Sequence, residues 1–245
     1  MLDHVTLRVA DLDEAGAFYG LALRLLDGPE ATESDDGVEW EDFSITPATE
    51  DRPVTVRLHV AFTAADRDRV DAWWQTMRDA GHLDLGPPGP RPEYSPSYYG
   101  AFVADPAGNS VEAVHHDRPR TDGCIVDHLW LRVRDLEASM RFYAAVAPVV
   151  GCELLRRRPD RATVRRGEGP PSFTLVEGPP TGNLHLAFTA PDTATVDAFH
   201  RAGLDAGAAS LGEPGERPRY HPGYYGAFLS DPDGNNVEAV FHDRR

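Results

Sequence analysis

Apolar and polar residues alternate along residues 3–10, a pattern that predicts a half-buried β-strand. Asp11 follows as a candidate N-cap, and Asp13 and Glu14 then stand where the first turn of a helix would lie. This helix is predicted to end near Leu26. The chain therefore opens with a strand that leads directly into a helix.

The rest of the first half predicts further strands and a second helix. Asp66 precedes a segment whose apolar residues recur every three or four positions, which is typical of an amphipathic helix. A loop rich in proline and glycine is predicted over 86–96, and the Asp-Pro-x-Gly-Asn sequence at 105–109 is typical of a hairpin turn. The predicted strands lie at 54–62, 101–104 and 110–115, with two or three more within 28–49.

The chain then repeats itself. LDHVTLRVADLDEAGAFY near the start recurs as VDHLWLRVRDLEASMRFY, and YSPSYYGAFVADPAGNSVEAVHHDR recurs as YHPGYYGAFLSDPDGNNVEAVFHDR at the end. The two offsets, 124 and 126 residues, differ so little that the halves must be two copies of one fold. The sequence predicts an α+β protein of four β-α-β-β-β units, with domains at 1–118 and 124–245 and a linker at 119–123.

The composition is that of a globular protein, with 41% hydrophobic and 26% charged residues. No stretch is apolar and long enough to span a membrane, and the first residues do not resemble a signal peptide. The net charge of −16 argues against nucleic acid or an anionic membrane as partner. Two cysteines, Cys124 and Cys152, cannot form a disulfide framework, so a cytoplasmic location is expected.

The charge is divided unevenly between the halves. Residues 1–122 hold 24 acids and 10 arginines, whereas residues 123–245 hold 16 acids and 14 arginines. The segment 27–51 is acidic, and its counterpart in the second half is rich in arginine over 156–166. Two interpretations stay open: both segments are solvated hairpins, or they approach one another across the pseudo-twofold axis.

Three ionisable residues recur on predicted strands in each half. Each histidine lies in an apolar run, and each glutamate interrupts a Val-Glu-Ala-Val run, where a carboxylate is costly unless it is paired, hydrogen-bonded or metal-bound. Two histidines and one carboxylate are a ligand set for a divalent metal with open positions. The candidate metal ligands are His4, His59 and Glu112 in the first half, and His128, His185 and Glu238 in the second.

On these residues and repeats, the chain resembles a tandem member of the vicinal oxygen chelate (VOC) superfamily, which includes glyoxalase I, extradiol dioxygenases, fosfomycin-resistance transferases and bleomycin-resistance proteins. The resemblance covers essentially all 245 residues. It implies two tandem domains whose modules pair into cup-shaped mixed sheets, with a divalent ion (Fe, Mn, Zn or Ni) in each cup. It further implies that each ion takes one ligand from one module and two from the partner module.

The resemblance leaves two classes of function open. The first is a metal-dependent dioxygenase, lyase or isomerase that chelates a small oxygenated or aromatic compound through two of its oxygens. The second is a binding protein of the bleomycin-resistance type, which sequesters an antibiotic or other natural product without turnover. The retained ligand triads favour the enzyme. In either case we expect a small-molecule partner and a fused pseudo-dimer that is a monomer or a homodimer.

Two departures from the resemblance narrow the reaction. The resemblance to glyoxalase I would imply a four-ligand metal site, with an extra carboxylate on the last strand of a module. The corresponding segments 42–48 and 172–178 carry no carboxylate at mid-strand, which argues against lactoylglutathione lyase activity. The tail 221–238 follows the spacing of the extradiol signature. It has Ala227 in place of a bulkier apolar residue and Phe228 in place of the tyrosine.

The candidate catalytic residues come from the same tail. His221 is a candidate acid–base group, because imidazole titrates near neutral pH, and Tyr224 or Tyr225 could substitute for the missing tyrosine. Ser95 occupies the position of His221 in the first half. This asymmetry predicts unequal sites, with turnover at the one that contains Glu238.

The triads could form within each half or across the two halves. Single-repeat members of the superfamily often pair across a dimer, and a fused dimer would inherit that pairing. We therefore expect the crossed grouping, in which His4 joins His185 and Glu238, and His128 joins His59 and Glu112.

Overall fold

The computed structural model describes residues 2–118 and 123–243, so the predicted linker lies outside the described residues apart from Gly123. The helices are α1 (Leu12–Leu25), α2 (Arg67–Asp79), α3 (Leu136–Val146) and α4 (Thr193–Asp205). The strands before the linker are β1 (Leu2–Val9), β2 (Thr32–Ser34), β3 (Gly37–Trp40), β4 (Phe43–Pro47), β5 (Leu58–Thr63), β6 (Asp84–Pro90), β7 (Tyr99–Ala104) and β8 (Ser110–His115). Those after it are β9 (Val126–Val133), β10 (Glu153–Arg158), β11 (Arg161–Arg165), β12 (Ser172–Glu177), β13 (His185–Thr189), β14 (Ser210–Glu216), β15 (Tyr224–Ser230) and β16 (Asn236–His242). No helix in these ranges is long and apolar enough to cross a membrane.

The order strand, helix, three strands occurs four times, which confirms the predicted α+β fold and its four modules. Each helix begins after an aspartate whose side chain accepts a backbone N–H three residues later. Asp11, for example, accepts from Glu14 at 2.9 Å, and Asp66 accepts from Arg69 at 2.7 Å. The modules, numbered in chain order, are β1–β4, β5–β8, β9–β12 and β13–β16 with their helices.

The sixteen strands of the described residues form two eight-stranded mixed sheets, and each sheet joins the two halves. One sheet has the order β14-β15-β16-β13-β1-β4-β3-β2 and so combines modules four and one. The other has the order β10-β11-β12-β9-β5-β8-β7-β6 and combines modules three and two. The central pairs are antiparallel: β1 lies beside β13, with Thr6 opposite His185, and β5 lies beside β9, with Ala61 opposite His128.

The helices, in contrast, pack within each half. In the first half, α1 packs on α2, and Trp73 donates its indole N–H to the carbonyl of Ala22 at 3.1 Å. Phe43 of module one contacts Phe62 of module two, with ring centroids 5.0 Å apart. The second half repeats this arrangement with α3 on α4. Buried side chains therefore hold together the modules of one half, while strand pairing holds together the two halves.

The Asp-Pro-x-Gly-Asn turn is a hairpin turn, as predicted, and it also anchors the strand beside the site. Asp105 accepts the hydroxyl hydrogen of Tyr19 at 2.7 Å and the N–H of Asn109 at 2.8 Å. Asn109 in turn accepts the N–H of Leu58, the first residue of β5, at 3.0 Å. The same bonds recur in the second half through Tyr143, Asp231, Asn235 and Leu184.

Two sequence predictions about local structure were wrong. Much of the predicted loop at 86–96 belongs to β6, which lies at the edge of its sheet, where prolines lose no ladder hydrogen bond. The strand predicted at 54–62 begins only at Leu58. The residues before it instead contact the other half, and Val56 forms a bridge with Gly182.

The acidic segment 27–51 and the arginine-rich segment 156–166 lie in different sheets, on β2–β4 and on β10 and β11. The ion pairs of the arginines in the second segment stay within the second half: Arg156 pairs with Glu137 of α3, Arg161 with Asp160, and Arg165 with Glu153. Within the described residues no ion pair joins the two segments, so the interpretation in which they meet across the pseudo-twofold axis is wrong.

The crossed sheets predict how an isolated half behaves. A chain of residues 1–118 alone would leave β1 and β5 without their partners β13 and β9, and two unpaired strand edges promote association. We expect this fragment to form a dimer or larger species in size-exclusion chromatography with light scattering. A stable monomer with the strand content of the full chain would contradict the expectation.

Candidate metal centres

The six predicted ligands fall into two clusters on neighbouring strands. The first cup is the site at His4 of β1, His185 of β13 and Glu238 of β16, which are adjacent strands of one sheet. Side chains two residues apart along a strand face the same side, so the register of Thr6 opposite His185 brings His4 and His185 to one face. The second cup is the equivalent site, formed by His59, Glu112 and His128 on β5, β8 and β9.

The donor atoms in each cup lie close together. In the first cup His185 Nε2 lies 3.0 Å from His4 Nε2 and 3.1 Å from Glu238 Oε2, while the His4–Glu238 distance is 3.8 Å. In the second cup the three distances are 3.3 Å between His59 and His128, 3.1 Å between His59 and Glu112, and 3.5 Å between His128 and Glu112. The structure thus has the crossed grouping, in which every cluster takes one residue from one half and two from the other.

These distances fit a shared metal ion. Neighbouring ligands of an octahedral ion with bonds of about 2.1 Å are about 3.0 Å apart, and tetrahedral ligands are slightly farther apart. Glu238 and Glu112 are each only 1% exposed, and a carboxyl group so buried is found paired, hydrogen-bonded or bound to a metal. Two imidazole nitrogens and one carboxylate oxygen converge in each cup, which is a donor set suited to a divalent transition metal.

An aspartate orients the first histidine of each cup. Asp3 bonds His4 Nδ1 at 2.9 Å, which leaves Nε2 to face the other ligands. Asp3 also bonds His242 Nε2 at 3.1 Å. The second cup repeats the arrangement through Asp127, which bonds His128 Nδ1 at 2.7 Å and His116 Nε2 at 2.8 Å.

A tyrosine holds the glutamate of each cup. Tyr224 donates its hydroxyl hydrogen to Glu238 Oε1 at 2.7 Å, and Tyr98 donates to Glu112 Oε1 at the same distance. This leaves Oε2 of each glutamate toward the histidines. A glycine two residues after each tyrosine leaves space for the glutamate, because a Cβ at Gly226 or Gly100 would clash with that glutamate oxygen.

Comparison with known proteins agrees with this geometry. The family model of the glyoxalase/bleomycin resistance protein/dioxygenase superfamily matches residues 1–113 and again residues 125–239. The chain belongs to this superfamily. No relative was found among curated proteins.

Solved structures share the fold of this superfamily member. Glyoxalase I from Zea mays superposes with a TM-score of 0.71 at 21% identity, over 98% of this chain and 92% of that chain. A putative dioxygenase from Bacillus subtilis subsp. subtilis str. 168 superposes with a TM-score of 0.66 at 12% identity, over 99% of this chain and 85% of that chain. At such identities the likeness concerns the fold.

The pKa values of the two histidines of a cup are shifted in opposite directions. Burial disfavours the charged imidazole of His4, but the hydrogen bond with Asp3 and the charge of Glu238 outweigh it and raise its pKa. Burial lowers the pKa of His185, despite its hydrogen bond to Glu238. Burial opposes the charge of Asp3 as well, yet its bonds to His242 and His4 hold its pKa well below the usual range. Asp3 is therefore an ionised acceptor at neutral pH. The second cup follows the same directions at His128, His59 and Asp127.

The structure separates the three candidate catalytic residues of this superfamily member. Tyr224 is at the first cup, where burial and Glu238 raise its pKa far above the usual range and keep it a neutral donor. Tyr225 lies on the opposite face of the sheet and donates to Asp197 of α4 at 2.9 Å, so the structure does not bring it to the cup.

His221 lies outside the cluster and is linked to it indirectly. Its Nε2 lies 2.8 Å from His242 Nδ1, and its ring packs edge-on to Tyr224 with centroids 5.3 Å apart. A chain of contacts thus leads from His221 through His242 and Asp3 to His4. In the second cup Ser95 has no hydrogen-bond partner for its buried hydroxyl within the described residues, and His116 Nδ1 instead accepts the backbone N–H of Arg118 at 3.2 Å.

Sequence reasoning missed the residues that support the ligands. Asp3 and Asp127 recur directly before the first ligand, and His116 and His242 recur after the last strand of each half. Their recurrence was the available signal. The supporting role of these residues could not be inferred from their recurrence, because their contacts join strand ends that are distant in the sequence and meet only in the folded sheet.

A cavity of about 720 Å³ opens above the second cup. Its walls include Trp130 of β9, Tyr94 and Phe102, and its floor contains the three ligands. The rings of Tyr94 and Trp130 meet edge to face, with centroids 5.9 Å apart. A small molecule can therefore reach the ligand cluster of this superfamily member from solvent.

Proposed function

We propose that the protein is a divalent-metal-dependent enzyme that acts on a small oxygenated or aromatic compound, with one ion in each cup. The observation that supports this most is the duplicated cluster, in which three donor atoms of two histidines and one glutamate lie within 3.8 Å of one another. A packed core does not need three such groups to converge, and the halves have diverged at most other positions.

When bound, an ion of the Fe, Mn, Zn or Ni class would act as a Lewis acid on two neighbouring oxygens of the compound. The chain's own residues prepare the site. Asp3 and Asp127 accept the Nδ1–H of the first histidine and so leave its Nε2 toward the ligand position, and Tyr224 and Tyr98 fix the glutamate oxygen. The cavity over the second cup holds the body of the compound against Trp130.

His221 has a positioning role in this proposal. It contacts His242 and not the ligands, so it supports the orientation of His4 through Asp3. The absence of an equivalent at Ser95 supports the prediction of unequal sites, with turnover at the first cup, and the cavity above the second cup supports binding of a compound there.

Metal-dependent conversion of a small compound tests the proposed enzymatic function. We expect the full chain, loaded with Fe, Mn, Zn or Ni, to convert at least one member of a panel of small compounds with two neighbouring oxygens. Mass spectrometry of the products is the measurement, and chelation followed by metal addition should abolish and restore the conversion. Recovery of a tightly bound compound unchanged, with and without metal, would instead indicate sequestration.

Two adjacent tyrosines provide a matched pair of variants. Tyr224→Phe removes the hydroxyl that holds Glu238, and loss of such a supporting bond lowers metal affinity by about tenfold to hundredfold. Tyr225→Phe removes a hydroxyl bonded to Asp197 on the other face and should leave metal affinity unchanged. Metal titration followed by calorimetry distinguishes them, and equal effects of the two substitutions would contradict the assignment of Tyr224.

A further inference from the structure

The cavity above the second cup is rich in positive charge although the chain as a whole has a net charge of −16. Six arginines contribute to its walls, against four acids. Two of those acids, Glu112 and Asp127, already bond the cup's histidines. The six arginines are Arg57, Arg118, Arg132, Arg158, Arg161 and Arg165.

The first cup keeps Arg8 at the position of Arg132 but lacks the arginines of the β10–β11 hairpin. Ala162, opposite Leu175, corresponds to Val38, opposite Ile45, so Arg161 corresponds to Gly37, the residue before Val38. Arg158 likewise corresponds to Ser34, because Arg158 pairs with Arg161 and Ser34 pairs with Gly37. Thr163 of the second cup corresponds to Glu39 of the first, opposite Thr174 and Ser44 respectively.

Not all of the arginines are neutralised. Arg161 and Arg165 pair with Asp160 and Glu153, but both acids are about half exposed, and such pairs contribute little. The guanidinium of Arg132 is exposed and has no hydrogen-bond or ion-pair partner in the part of the chain that the structure describes. These groups are available to an anion that enters the cavity.

The same walls are aromatic. The guanidinium of Arg161 lies over the ring of Trp130, 5.0 Å from its centroid, and that of Arg91 lies over Phe102 at 5.6 Å. Tyr94 is 42% exposed and faces Trp130. Flat cations and aromatic rings together suit a planar ligand that carries negative charge.

We propose that the second cup selects planar organic anions, in particular small aromatic carboxylates, and that the first cup does not. The inference rests on the proposed function for the orientation of the ligand's oxygens toward the metal centre. Its preference for charge arises from the arginine wall, which is separate from the metal ligands. The two cups of the duplicated chain would then accept different compounds.

A pair of ligands that differ in charge but not in shape tests the proposal. 2-Hydroxybenzoate is an anion at pH 7, and 2-hydroxybenzamide is a neutral molecule of the same outline. We expect isothermal titration of the full chain to show the acid binding at least about tenfold more tightly than the amide, as one charge-assisted hydrogen bond provides. The preference should fall as ionic strength rises.

Variants show which residues produce the preference for the acid over the amide. Thr163→Glu places the first cup's carboxylate in the second cup and should weaken acid binding about tenfold or more, while amide binding stays the same. Thr163→Gln has the same size without charge and should retain the preference. Arg161→Gln, at a partly exposed position, should weaken acid binding in the same direction. Glu39→Gln, in the first cup, should have no effect on binding of either ligand.

The outcomes are separable from those of the proposed function. Equal binding of acid and amide, no binding of either, or equal effects of Thr163→Glu and Thr163→Gln would overturn this inference. Metal content measured on the same samples reports on the proposed function alone. A protein that holds metal without preferring the acid contradicts only the inference, whereas one that prefers the acid without holding metal contradicts only the proposed function.

Discussion

The antiparallel pairing of β1 with β13 and of β5 with β9 is the constraint on which the rest of the structure depends. It joins a module of one half to a module of the other and closes two eight-stranded sheets. It also sets the register that brings His4 to His185 and His128 to His59. A slip of one residue would turn one histidine of each pair to the opposite face and separate the donor atoms.

Around that pairing, the first histidine and the glutamate of each cup are each held by a partner of their own. Asp3 directs His4, and Tyr224 directs Glu238, so the donor atoms face one another before any ion binds. Such preorganisation lowers the cost of assembling a metal site. Duplication then allowed the rest of the two cups to diverge, because the candidate ligands lie at the centre of each sheet while wall residues such as Thr163 and Glu39 lie on outer hairpins.

Much of this could be predicted from the sequence. The repeat revealed the modules, and the recurrence of ionisable residues within apolar strands indicated the candidate ligands, since both signals can be read from the sequence itself. Other features depend on how the strands are arranged in the folded sheet. The edge position of β6 makes its prolines acceptable, and the position of Tyr225 on the outer face follows from strand alternation next to Tyr224. The contact between His242 and Asp3 joins opposite ends of the chain, and no pattern of spacing contains it.

Metal content of double variants, measured by mass spectrometry on the full chain, tests the central claim most directly. If each cup holds one ion through residues of both halves, His4→Ala with His185→Ala removes ligands of one ion, and one equivalent should remain. His4→Ala with His59→Ala damages both cups, and the protein should lose both ions. Retention of one ion by the second variant and loss of both by the first would contradict the account.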